Sequence, residues 1–143
     1  MFDYAFEQAK PAGAPRLCVL TTARGDQDRT SAQFRAAFEG REVELSCVSL
    51  FDQPNVDDVV QHLRSQDAIW VDRGSVVNAL AVWRAHRVDA VLRDCWQEGV
   101  VLAGESAGSL CWFSGGTTGS FGRVRAVQDG LGVSAVFERR ALL

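Results

Sequence analysis

The residues best suited to chemistry lie in one short segment, Gly104-Glu105-Ser106-Ala107-Gly108, which fits the pattern G-x-S-x-G. In enzymes with this pattern the serine occupies a sharp turn between a strand and a helix, and the glycines remove side-chain clashes there. The turn lifts the hydroxyl above the edge of the sheet, where amides of the following helix can stabilise an oxyanion. Because an apolar run ends at Gly104 and an amphipathic segment follows, the sequence predicts that Ser106 is a nucleophile placed on such a turn.

A nucleophilic serine needs a base to take its proton, and that base is usually an imidazole. The two histidines, His62 and His86, both precede Ser106 and lie in segments with helical periodicity, so we expect them on the surface or at the end of helices. The usual order for this motif places the histidine after the serine. The downstream carboxylates, Asp129 and Glu138, cannot replace an imidazole without special burial. The residues alone therefore predict a nucleophile without its base.

The elements that must position Ser106 alternate between strands and helices. Short apolar, β-branched runs predict strands over 16–22, 42–50, 67–72 and 100–104. Helical spacing predicts helices over 2–9, 29–40, 55–66 and 75–99, the last divided in two near Arg87 and Val88. This alternation predicts an α/β fold with a doubly wound, mostly parallel sheet, whose ligands bind where the strands end. We expect 114–122 to be a loop and 124–143 to add one or two short strands.

Composition limits the classes of protein to which the chain can belong. The 143 residues fit a single domain over 1–143, and 47% hydrophobic residues with a net charge of −3 are typical of a soluble globular protein. This charge gives no reason to expect nucleic acid or a membrane surface as a partner. Without a membrane-spanning run or a signal peptide, we expect a cytoplasmic location. The four cysteines form no CxxC pair and lie in apolar segments, so we expect reduced, buried thiols and no zinc site: Cys18, Cys47, Cys95 and Cys111.

The run from Asp67 to Phe121 contains N-x-L-x-x-W-R-x-H followed by G-x-S-A-G-S-x-C-W. This combination resembles the peptidase E family of aspartyl dipeptidases, which is related to cyanophycinase, and the resemblance extends over residues 15–132. It implies a three-layer fold of the class I glutamine amidotransferase type. It also implies a cytoplasmic serine peptidase that cleaves short peptides with an N-terminal aspartate and needs no metal or cofactor.

The resemblance implies roles for individual residues. Ser106 matches the nucleophile, and the amides near Gly74 and of Ala107 match the oxyanion hole. The loops around these residues supply further candidates for contact with substrate: Asp72, Arg73, Ser75, Glu105, Thr117 and Thr118.

The chain also departs from the family pattern at several positions. Asp72 and Arg73 replace two glycines of the oxyanion turn, and the Asp72 carboxylate would oppose a developing oxyanion. Gly119 stands where the family has its triad acid, and Arg87 stands where it has a helix-ending glycine. No family histidine segment follows Ser106, and the segment 138–140 resembles the family sequence just beyond that histidine. We therefore expect a sheet shortened at both ends relative to the family.

Two functions stay open at this point. The first is a serine dipeptidase with Ser106 as nucleophile and with activity lost or strongly impaired. The second is a non-catalytic or vestigial homologue: a binding or assembly module, or the product of a gene fragment. A glutamine amidotransferase is disfavoured because the turn carries serine rather than cysteine, and Cys111 should point into helix packing. A shortened sheet leaves unpaired edges, so we expect a homodimer or aggregation.

Overall fold

A four-stranded parallel sheet forms the centre of residues 1–133, the part of the chain that this computed structural model describes. The strands run in the order β2-β1-β3-β4, so β2 and β4 are the edges of this sheet. All four predicted strands are present, each one to four residues shorter than its apolar run: β1 (Arg16–Leu20), β2 (Glu44–Val48), β3 (Ala68–Val71) and β4 (Val101–Gly104). The α/β fold with a mostly parallel sheet is confirmed.

Helices cover both faces of this sheet and make three layers. The helices are α1 (Phe2–Ala9), α2 (Asp28–Ala37), α3 (Val59–Arg64), α4 (Val76–Ala85), α5 (Val88–Glu98) and α6 (Ala107–Leu110). Phe6 of α1 and Phe38, at the end of α2, pack with Leu17, Val19 and Trp70 on one face. The opposite face carries the larger cluster, with Cys18, Leu20, Leu63, Leu80 and Leu92. Alternate residues of β1 thus pack into the clusters on the two faces of the sheet, which is why the sequence of this strand is continuously apolar.

The predicted division of the long helical segment is confirmed, since α4 ends at Ala85 and α5 begins at Val88. Arg87 lies between them in the left-handed region, with φ 58° and ψ 18°. A residue with a Cβ costs roughly 1–2 kcal/mol in this conformation, whereas glycine adopts it without that penalty. The expectation of a glycine at this position therefore has a structural reason.

The interpretation of 114–122 as a loop is wrong for its central residues. A short strand, β5 (Gly116–Thr118), pairs antiparallel with β6 (Arg125–Val127). The pairing partner lies outside the stretch, and Val127 anchors the hairpin by burying its side chain, which is only 6% exposed. β6 also confirms one strand within 124–143. The remainder of that prediction, together with Glu138 and the segment 138–140, lies outside the described residues.

The four cysteines are buried and form no disulfide. Burial raises the pKa of the Cys95 thiol to about 11 and that of Cys18 to about 12. Cys111 is fully buried and its Sγ lies 3.2 Å from the carbonyl oxygen of Gly108, so it points into helix packing as expected. Over residues 1–133 no group of His, Cys, Asp and Glu is arranged to hold a metal, and no helix there is long and apolar enough to cross a bilayer.

Candidate active site

Ser106 lies on the turn between β4 and α6 with φ 55° and ψ −115°. Such a conformation costs a non-glycine residue on the order of 1–3 kcal/mol, and it persists only where the surroundings fix it. The residue is exposed, and Ser106 Oγ has no hydrogen-bond partner among residues 1–133. The strand, turn and helix that the G-x-S-x-G pattern requires are therefore present around an accessible hydroxyl.

The two glycines of the pattern hold this turn by close backbone packing. A Cβ at Gly108 would lie 2.0 Å from the carbonyl oxygen of Val71, and one at Gly104 would lie 2.4 Å from the carbonyl oxygen of Gly108. The amide of Glu105 donates to the same Val71 oxygen at 3.2 Å. Since no side chain larger than hydrogen fits at either position, the first turn of α6 rests directly on β3 and β4.

Two backbone amides beside Ser106 are free to donate. The N–H groups of Gly74 and Ala107 have no acceptor within the described residues. Gly74 has φ 141°, and a Cβ there would lie 2.2 Å from the carbonyl oxygen of Ala23, which instead accepts the amide of Ser75 at 2.8 Å. Free amides beside a serine hydroxyl are the groups that can stabilise an oxyanion.

A groove of about 720 Å³ brings these groups together. Six of the candidate residues line it: Gly74, Ser75, Ser106, Ala107, Thr117 and Thr118. Ser75 also has a structural role, because its Oγ caps α4 by accepting the amide of Asn78 at 3.2 Å. The remaining lining residues are Ser109, Leu110, Phe113, Gly119 and Ser120. The wall is thus rich in hydroxyl groups, with apolar surface at Leu110 and Phe113.

Ser120 is one of the groove residues that sequence reasoning did not select as a candidate. Its Oγ accepts the amide of Val76 at 3.1 Å and lies 2.8 Å from Thr118 Oγ1. These contacts attach the β5–β6 hairpin to the first turn of α4. The two partners, Val76 and Ser120, are 44 positions apart, so no local pattern in the sequence could have indicated the contact.

The charged candidates Asp72, Arg73 and Glu105 lie next to the groove without lining it. Arg73 donates from Nε to Glu105 Oε1 at 2.9 Å and from Nη2 to Oε2 at 3.0 Å. Asp72 is only 3% exposed; its Oδ2 accepts no hydrogen bond and lies 3.6 Å from Arg24 Nη1. Burial is the main cause that raises the pKa of Asp72, and the charge of Glu105 raises it further.

Neither histidine lies at the groove. His62 Nε2 is 2.9 Å from Ser46 Oγ on β2, the edge strand opposite to the one that leads into Ser106. His86 follows the last residue of α4, whose N-cap Ser75 lines the groove, and ten helical residues extend about 15 Å. Both histidines therefore occupy the helix-surface and helix-end positions that were expected of them.

The position at which the family has its triad acid carries no carboxylate in this chain. Gly119 lines the groove, and a Cβ built on it would meet no atom within 4 Å. Asp129 is engaged elsewhere, because its Oδ2 accepts from Arg84 Nη1 at 2.7 Å. Within the described residues the groove therefore brings together a serine hydroxyl and two amides, with no imidazole and no carboxylate in its lining.

Comparison with known proteins gives matches of sequence and of fold. The model of peptidase family S51 matches residues 2–134. The chain is 38% identical over 127 residues to the uncharacterized peptidase YgaJ of Bacillus subtilis strain 168, which covers 89% of this chain and 54% of the relative. It thus spans about half the length of that relative. A crystal structure of a Listeria monocytogenes EGD-e protein assigned as a peptidase E superposes with a TM-score of 0.65 at 15% identity. That match covers 92% of this chain and 68% of the other, and at this identity it shows a shared fold.

Proposed function

The chain belongs to peptidase family S51, as the resemblance predicted, and from this premise we propose that its groove is a peptide site of the serine-peptidase type with Ser106 as nucleophile. The observation that carries the proposal is the backbone of Ser106, held at φ 55° and ψ −115° with its hydroxyl exposed. A strained conformation maintained at a solvent-facing serine supports a chemical role for that serine more than a structural one.

The proposed reaction is an acyl transfer. Ser106 Oγ attacks the carbonyl carbon of a bound peptide, and the amides of Gly74 and Ala107 donate to the resulting oxyanion. Collapse of this intermediate breaks the C–N bond, and the amine leaves with a proton; water then hydrolyses the ester on Ser106. The hydroxyl proton must pass to a base; because no imidazole among residues 1–133 lines the groove, we propose that it passes to solvent.

The missing imidazole sets the expected rate. A serine triad without its base loses several orders of magnitude in rate and keeps the contribution of the oxyanion hole and of substrate binding. We therefore propose that peptidase activity of this chain is strongly impaired. Short peptides with an N-terminal aspartate are the substrates that the family resemblance implies, and a groove of about 720 Å³ is large enough for them.

A second candidate function is a binding or assembly module without catalysis. It is favoured by Gly119 at the acid position and by the two histidines lying away from the groove. In this case the groove retains peptides but Ser106 does not react. The expected homodimer, which light scattering can test, stays a prediction under both functions.

A fluorophosphonate probe separates the two candidates. In this reaction Ser106 Oγ bonds to phosphorus, fluoride leaves, and the hydroxyl proton passes to solvent. We expect slow labelling that Ser106→Ala abolishes and that Ser109→Ala preserves, since Ser109 is an exposed serine of the same groove. An Asp-aminoacyl chromogenic substrate, assayed in parallel, measures peptidase turnover. Folded protein that gives no Ser106-dependent labelling would contradict the nucleophile and leave the binding module.

A further inference from the structure

An ion pair joins the two loops that carry the proposed oxyanion donors. Arg73 directly precedes Gly74, and Glu105 directly precedes Ser106 and its neighbour Ala107. The two hydrogen bonds between Arg73 and Glu105 measure 2.9 and 3.0 Å and run side by side. A paired fork of this kind fixes both the distance and the relative orientation of the groups that it joins.

The same two loops are fastened at their bases by backbone hydrogen bonds. The amide of Glu105 donates to Val71 at 3.2 Å, and the amide of Ser75 donates to Ala23 at 2.8 Å. The backbone hydrogen bonds therefore hold the two loops to the elements beneath them, and the ion pair joins the same loops through their side chains. The free amide of Gly74 lies between Arg73 and Ser75 in the first loop, and that of Ala107 follows Glu105 by two positions in the second.

The pair also controls the charge beside the groove. Glu105 is the carboxylate adjacent in sequence to Ser106, and an unpaired negative charge there would oppose an oxyanion. Arg73 neutralises it through both carboxylate oxygens. Asp72, one position before Arg73, forms a longer ion pair without a hydrogen bond, with its Oδ2 3.6 Å from Arg24 Nη1. Alternating charges thus extend across the ends of β1, β3 and β4.

We propose that the Arg73–Glu105 ion pair is a positioning pair, which sets the separation of the Gly74 and Ala107 amides and cancels the charge of Glu105. The inference rests on the proposed function of Ser106. Stability alone does not account for the pair, because the side chains are 60% and 36% exposed and exposed pairs contribute little to folding. Its substitution should consequently alter reactivity much more than stability.

The first test measures the second-order rate constant for fluorophosphonate labelling of Ser106 in Arg73→Met, Glu105→Gln and the double variant. We expect Arg73→Met to lower the rate constant about tenfold, because it loses the fork and exposes the charge of Glu105. The double variant should recover part of this loss. Added salt should slow the labelling of the wild type and leave that of the double variant unchanged, since salt screens exposed charges.

Arg64→Met and Glu98→Gln are matched controls for these variants. Arg64 and Glu98 form the same kind of exposed pair at the opposite end of the sheet, with Arg64 Nε 3.0 Å from Glu98 Oε2.

The second test does not depend on the reactivity of Ser106. It measures amide ¹H–¹⁵N chemical shifts on the loop opposite to the substitution. The Ala107 amide is followed in Arg73→Met and the Gly74 amide in Glu105→Gln, so that neither amide is adjacent in sequence to the substituted residue. We expect both amides to shift, and neither to shift in Arg64→Met. Absence of labelling in the wild type would overturn the proposed function, whereas the shifts would still decide the positioning role. Unmoved amides, or labelling rates equal to the wild type in Arg73→Met, would overturn the positioning pair.

Discussion

Val71 and Gly108 touch backbone to backbone: a methyl group added to Gly108 would lie 2.0 Å from the carbonyl oxygen of Val71. Val71 is the last residue of β3 and Gly108 lies in the first turn of α6. The contact therefore fixes the height of the helix above the sheet. Because Ser106 and Ala107 precede Gly108 directly, this contact contributes to the placement of the hydroxyl and of one free amide.

Gly108→Ala should be strongly destabilising. The added methyl group overlaps backbone atoms that cannot rotate away, and we expect the free energy of unfolding to fall by about 3 kcal/mol or more. Urea unfolding followed by circular dichroism measures this change. Gly119→Ala is the matched control, since its methyl group meets no atom within 4 Å. Equal stability of the two variants would show that α6 can move away from β3.

Gly119→Asp should fold normally and should not restore activity. The new carboxylate enters open space in the groove, but no imidazole among residues 1–133 lies between it and Ser106. Its charge instead opposes the developing oxyanion by about 0.5 kcal/mol through water, which is about twofold in rate. Labelling by the fluorophosphonate probe, compared with Gly119→Asn, measures the effect. Faster labelling would reveal a base near Ser106 that uses the new acid.

The sequence predicted the parts of this fold that local patterns encode. Both faces of the central sheet are covered by helices, so the buried strand β1 reads as an uninterrupted apolar run. The turn at Ser106 was predictable because Gly104 and Gly108 flank it within four residues, and the backbone packs closely at both positions.

The parts that the sequence did not predict depend on contacts between distant segments. β5 exists because residues 116–118 pair with residues 125–127, outside the stretch that was interpreted as a loop. Ser120 contacts Val76 across 44 positions, and Arg73 contacts Glu105 across 32. Single side chains at such separations leave no periodic signal, because only the folded chain brings them together.

Asp72→Asn should stabilise the protein at neutral pH. Burial raises the folded-state pKa of Asp72 above its unfolded value of 3.8, so the folded state holds its proton to higher pH and ionisation destabilises it. The destabilisation caused by ionisation is absent below pH about 4, where the carboxyl group is protonated in both states. It reaches its full size above the folded-state pKa. We expect Asp72→Asn to be more stable than the wild type at pH 7, because it removes the buried charge, and to lose this advantage at low pH.

Asp67→Asn is the control variant, for which the expected change in stability at pH 7 has the opposite sign. Burial by itself would raise the pKa of Asp67, but the hydrogen bonds and charge of Arg16 outweigh it and lower that pKa. Its ionised form therefore stabilises the fold above pH about 4, and the substitution should be destabilising at pH 7. Urea titrations at several pH values check both variants. A loss of stability in Asp72→Asn at pH 7 would contradict the reasoning.

His62 should make the fold less stable in mild acid. Burial lowers its folded-state pKa below the unfolded value of 6.5, so the unfolded chain binds more protons in that interval. Stability is then lost as pH falls through about 6.5 towards the folded pKa. We expect His62→Gln to have a smaller fall in thermal midpoint between pH 7.5 and 5.5 than the wild type. His86→Gln provides a matched substitution at an exposed histidine, and a curve for His62→Gln identical to that of the wild type would exclude a contribution from His62.

The hydroxyl of Ser120 forms a hydrogen bond that must break before the β5–β6 wall of the groove can move. It fastens the β5–β6 hairpin to the amide of Val76, so any movement of that wall leaves the beginning of α4 without its acceptor. Breaking one such bond costs about 1 kcal/mol. The hydrogen bond of Ser120 thus adds about 1 kcal/mol to the free energy needed to move this wall of the groove.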